Sequence, residues 1–100
     1  MFIMFSKEEC PYCDEAIEFI QNELHSTVKI FEVKEHPATY RSIMEETGHK
    51  TVPAIYVGPN FIGGCDDLMS LYESKGLRIL MLEEENRLLK LQIERLRTRA

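Results

Sequence analysis

Phe2-Ile3-Met4-Phe5-Ser6-Lys7-Glu8-Glu9-Cys10-Pro11-Tyr12-Cys13 follows Met1, and its reading decides the fold. Phe2 to Phe5 is an apolar run that gives way to polar Ser6 to Glu9, as a buried strand entering a loop would. Pro11 suits the first turn of a helix, where its missing N–H costs nothing. Beyond it, Ala16, Ile17, Ile20 and Leu24 recur at three- and four-residue steps, with Glu15, Glu18 and Glu23 facing out. A helix from Pro11 to Leu24 is expected.

Two cysteines three apart, between a strand and a helix, form the setting in which C-x-x-C reads as redox chemistry. Cys10 falls at the helix start, where unpaired N–H groups and the macrodipole favour a thiolate. Lys7 adds positive charge nearby. Such settings lower a thiol pKa from about 8.5 to roughly 3.5–7.5. Cys13 lies one turn inside the helix, within reach to close a disulfide. No second Cys/His pair at finger spacing accompanies them, since Cys65, His25, His36 and His49 are scattered singly. No metal is expected.

Working outward, Val28, Ile30 and the stretch to Val33 form a second strand. Pro37 opens a helix running to about Thr47, closed by Gly48. Ala54-Ile55-Tyr56-Val57 and Phe61-Ile62 read as a hairpin around Gly58-Pro59-Asn60. Gly63-Gly64 breaks the strand, and Asp66 to Lys75 reads as a helix stopped by Gly76. The order β-α-β-α-β-β-α gives an α/β fold: a parallel pair plus a hairpin, hence a mixed sheet with helices packed on it.

The 100 residues make one domain with room for a short appendage, and 44% hydrophobic content is ordinary for a globular chain. A net charge of −5 argues against nucleic-acid binding. Three cysteines fit poorly with a disulfide-stapled secreted domain. Met1 leads into the apolar run without a basic leader, and no stretch reaches the roughly 20 apolar residues of a membrane span. A cytoplasmic chain without membrane partners is expected.

Two further segments bear on the site. Thr51-Val52-Pro53 precedes a strand, and a proline there can carry a cis bond that exposes the Val52 backbone; a trans turn is the blander reading. Gly63-Gly64-Cys65-Asp66-Asp67 turns into a helix, where N–H groups can capture a carboxylate; a plain turn with Asp66 as N-cap is the alternative.

Together, Lys7, Cys10-Pro11-Tyr12-Cys13, Thr51-Val52-Pro53 and Gly63-Gly64-Cys65-Asp66-Asp67-Leu68 resemble the short dithiol class of the glutaredoxin family. The resemblance covers residues 1–77. It implies a thioredoxin-like fold with a four-stranded mixed sheet, and glutathione as reducing co-substrate with no tightly bound cofactor. It implies that Cys10 attacks protein disulfides and glutathionylated proteins while Cys13 resolves the mixed disulfide. The Val52 backbone would pair with the cysteinyl part of glutathione, flanked by Tyr12, Thr51 and Pro53. Gly64, the Cys65 N–H and Asp66 would hold its γ-glutamyl end, and Lys7 and Lys50 would lie near its glycyl carboxylate. Where relatives carry Gln or Arg in the second helix, this chain has Tyr40 beside Arg41. Cys65 reads either as a small turn residue or as a regulatory thiol. Iron–sulfur carriage through Cys10 is a rival function, opposed by Pro11, which the family's cluster-holding members generally lack.

Residues 78–100 differ in kind, with charge +2 against −7 for residues 1–77. Ile79, Asn86 and Ile93 take heptad position a, and Leu82, Leu89 and Leu96 take d. Ile at a with Leu at d favours two parallel strands, and one Asn at a fixes register. A coiled-coil helix is expected here, joining a homodimer or another partner through residues 79–96. The competing arrangement folds Leu77, Leu80 and Met81 back onto the chain's own domain.

Overall fold

The apolar run after Met1 becomes a strand because alternate side chains find apolar cover on both faces of a sheet. In the computed structural model, which describes residues 1–98 and side chains through residue 96, β1 (Phe2–Ser6) is central. It pairs in parallel with β2 (Val28–Glu32) and antiparallel with β3 (Ala54–Val57), which pairs antiparallel with β4 (Asn60–Gly63). The order β2-β1-β3-β4 is the four-stranded mixed sheet of a thioredoxin-like fold. Phe2 and Met4 from β1, with Ile55 and Val57 from β3, face the main core. There they meet Ala16 of α1 (Pro11–Glu18) and Leu68 of α3 (Cys65–Glu73). On the opposite face Phe5 stacks on Phe31 at 5.4 Å and lies beside Tyr40 of α2 (Pro37–Thr47).

The second helix matches its expected limits, ending at Gly48 in the left-handed conformation (φ 74°) that closes helices. The first does not stay regular to Leu24. After Glu18 it widens into a π-helical segment, Phe19–Glu23, with the Leu24 N–H donating to the Phe19 carbonyl at 3.2 Å. The wider turn lets neighbouring residues both face inward: Ile20 is fully buried, and Phe19 meets the edge of Tyr72 at 5.0 Å. Gly63 closes β4 rather than breaking it, and α3 starts one residue early, at Cys65. Gly76 is not the stop of α3. Lys75 takes the left-handed turn (φ 66°), and Gly76 instead begins α4 (Gly76–Thr98).

Continuous α4 shows the fold-back arrangement in its first turns. Its first turns pack on the body, with Leu77 buried and Leu80 and Met81 partly so. The change of composition at residue 78 therefore falls inside a packed turn. Residues 99–100, the end of the expected coil, lie outside the described residues. Among those described, no helix is long and apolar enough to cross a membrane.

Glu84 fastens this helix. It is buried, takes a two-pronged bond from Arg87 (2.6 and 3.2 Å), and lies over the β3–β4 turn, where a Cβ at Gly58 would collide with its carboxylate. The Arg87 hydrogen bond holds the Glu84 carboxyl below its ordinary value, against the opposing effect of burial, helped by the charges of Arg87 and the N-terminal amine. A lowered pKa means the interaction is present above the unfolded value and fades as pH falls through the folded one. Glu84→Gln should lower stability by about 1 kcal/mol at neutral pH, a Tm loss of roughly 4–8 °C. In thermal melts the gap to the wild type should begin to narrow below about pH 4.3 and go on narrowing in stronger acid. A gap that persists in acid would remove the charge from this account.

Candidate active site

Cys10 sits immediately before α1 with extended backbone (φ −115°, ψ 99°), which makes it the helix N-cap. A Ser or Asp oxygen usually fills this role; here the Cys10 sulfur accepts the Cys13 N–H at 3.3 Å. That bond and the positive end of the helix favour negative charge on the sulfur. The two cysteines are joined as a disulfide with Cα atoms 5.2 Å apart, inside the ordinary range. Cys13 is 1% exposed and Cys10 5%, and only Cys10 borders an open groove.

Two adjoining grooves flank this pair. One, about 530 Å³, runs from Lys7 and Cys10 past Tyr12 to Tyr40, Lys50, Thr51 and Val52. The other, about 280 Å³, shares Tyr12, Thr51 and Val52 and continues to Pro53, Gly64, Cys65 and Asp66. All the candidate residues named from the sequence line one groove or the other except Cys13, which lies beneath. The Val52–Pro53 bond is cis. Arg41 lines neither of the two grooves, so Tyr40 is the residue α2 contributes. Burial raises the Tyr40 phenol above its ordinary value.

The start of α3 is shaped by its own side chains. Gly63 adopts φ 125°, open to glycine alone, and Gly64 then donates its N–H to the Asp67 carboxylate at 2.9 Å. Asp67, not Asp66, thus ties down this turn; Asp66 stands exposed at the second helical position, beside the first N–H groups of α3. Burial pushes the Cys65 thiol up, and the charges of Glu15 and Asp66 push it the same way. The thiol itself is buried at the start of α3.

His49 was not among the candidates, yet it connects both halves of the smaller groove. Its Nε2 lies 3.1 Å from the Pro53 carbonyl, its ring meets Phe61 edge-on at 5.6 Å, and it abuts Gly64. A ring placed between the Gly48 helix stop and the Lys50–Pro53 loop was the available sign. His36, by contrast, packs against Phe31 at 5.2 Å and lines neither groove.

The glutaredoxin family model matches residues 2–62. Glutaredoxin-C2 of Arabidopsis thaliana is 34% identical over 84 residues, covering 81% of this chain and 75% of that protein. Glutaredoxin-1 of Homo sapiens is 35% identical over 78 residues, covering 72% and 73%. Among solved structures, the buckwheat glutaredoxin–glutathione complex superimposes with a TM-score of 0.73 at 26% identity, covering 84% of this chain and 78% of that one.

Proposed function

This chain belongs to the glutaredoxin family and is a thiol–disulfide oxidoreductase, and from that premise we propose that glutathione is its electron donor and Cys10 its nucleophile. The observation carrying this reading is Cys10 at a helix N-cap on the larger of two adjoining grooves, the smaller of which ends at an exposed helix start. A solved relative in complex with glutathione supports it.

In the proposed cycle the Cys10 thiolate attacks one sulfur of a substrate disulfide, forming a mixed disulfide and expelling the other sulfur as a thiolate that takes up a proton. Cys13, deprotonated, then attacks the Cys10 sulfur. The Cys10–Cys13 bond forms, the second substrate thiol leaves, and two electrons have passed to the substrate. One glutathione thiolate opens that bond to give Cys10 joined to glutathione, and a second releases glutathione disulfide. On glutathionylated proteins Cys10 acts alone. The Val52 backbone would align the cysteinyl part of glutathione, the Cys65 N–H and Asp66 its γ-glutamyl end, and Lys7 and Lys50 its glycyl carboxylate. Tyr12, Thr51, Pro53 and Gly64 form the walls. A dithiol cycle of this kind suits the reducing cytoplasm. Residues 1–77 would carry the chemistry, and 78–100 the association of the chain with others.

A coupled assay with glutathione and a glutathione mixed disulfide tests the reading; no glutathione oxidation above background would overturn it. Within it, His49 is a positioning residue. His49→Phe keeps the ring and loses the bond to Pro53, worth about 1 kcal/mol. The KM for glutathione should rise roughly fivefold while kcat holds. A fall in kcat at unchanged KM would contradict the positioning role.

A further inference from the structure

We propose that the chain forms a parallel homodimer through α4, with Ile79, Leu82, Asn86, Leu89, Ile93 and Leu96 as the seam. Leu77, Met81 and Glu84 hold one face of α4 against the body. At about 100° per residue the seam lies roughly opposite that face, so two copies can join back to back with their bodies outermost. The five large aliphatics of the seam are 50–63% exposed and form an apolar row interrupted at Asn86.

Charge identifies the occupant as a second copy. In a parallel, in-register pair Arg78 faces the partner's Glu83, and Glu85 faces the partner's Lys90; two-fold symmetry repeats both contacts. None of these four residues makes an ion pair of its own among the described residues. Asn86 meets the partner's Asn86, and the two amides can bond to each other. Antiparallel pairing would press Asn86 against leucine and leave its amide without a partner. The groove of about 420 Å³ between α4 and the body is lined by Arg78, Leu82 and Glu85 of α4 and by Glu23, Leu24 and Tyr72 of the body.

The seam spans only about 27 Å, too short for an isolated peptide to hold strongly. Anchoring by Leu77, Met81 and Glu84 already fixes the first turns as helix, so association does not have to nucleate them. This inference is independent of the thiol chemistry.

Sedimentation equilibrium of the full chain, with reductant present to exclude intermolecular disulfides, tests it. The expected result is a monomer–dimer equilibrium across the micromolar range. Leu89→Asp with Ile93→Asp, both remote from the active site, should give a monomer with unchanged oxidoreductase activity. Glu85→Lys alone and Lys90→Glu alone should each raise the dissociation constant about tenfold. An equal mixture of the two should dimerise as tightly as the wild type, because every flanking contact is then attractive. A monomer at high concentration, a mass of three or more chains, a dimer that survives the paired Asp substitutions, or a mixture without recovery would each overturn the proposal.

Discussion

Cys10→Ser is expected to reduce turnover to the uncatalysed background on every substrate, protein disulfides and glutathionylated proteins alike. The hydroxyl that replaces the thiol can still accept the Cys13 N–H that Cys10 accepts at 3.3 Å, so the fold and helix cap should survive. What is lost is the one sulfur bordering the groove, and a serine hydroxyl does not ionise near neutral pH to replace it. Cys13→Ser provides the contrast. It removes the resolving sulfur and leaves Cys10 at the helix start. Deglutathionylation should stay within about an order of magnitude of the wild type, while net reduction of protein disulfides should stall at the mixed disulfide. Mass spectrometry of that variant should find the substrate attached at Cys10. Attachment at Cys65, or full activity in Cys10→Ser, would sink the assignment.

Gly63→Val is expected to be nearly as damaging, through the other end of the site. Gly63 sits at φ 125°, a region closed to a β-branched residue, and an added Cβ would run into the Asp67 carboxylate. That carboxylate is what receives the Gly64 N–H at the start of α3. Backbone strain of about 1–3 kcal/mol and loss of a cap worth about 1 kcal/mol together predict a Tm lower by roughly 10–20 °C. If the α3 start holds glutathione, its KM should rise at least about tenfold, measured below the melting range. Unchanged KM in a variant with a clearly lowered Tm would remove this turn from the glutathione site.

The sequence was most legible where local chemistry alone sets the structure. Pro37 and Gly48 bound α2 because a missing N–H and a left-handed turn are properties of single residues. Cys10-Pro11 marked the start of α1 for the same reason, and the chosen site residues gather because three short segments each carry such a signal. What stayed hidden depends on contacts distant in sequence. The π-helical widening at Phe19 answers to Tyr72, 53 residues on, against which Phe19 packs. Gly76 looked like a stop, yet Lys75 makes the turn and the helix resumes. Glu84 is the middle of three successive glutamates, and nothing local reveals that Gly58 leaves room for it. His49 is recognisable as a site residue only once Pro53 and Gly64 stand beside it.

Strand polarity has a practical corollary. Gly58 bonds the Met1 carbonyl where β1 begins, and Glu84 rests on that same turn, whereas Cys10 lies past the far end of the strand. Five residues of strand set the two about 16 Å apart. Grafting the protein to a bead or electrode by its tail should therefore leave the reactive pole facing the bulk solution, with load on the tether borne at the opposite pole.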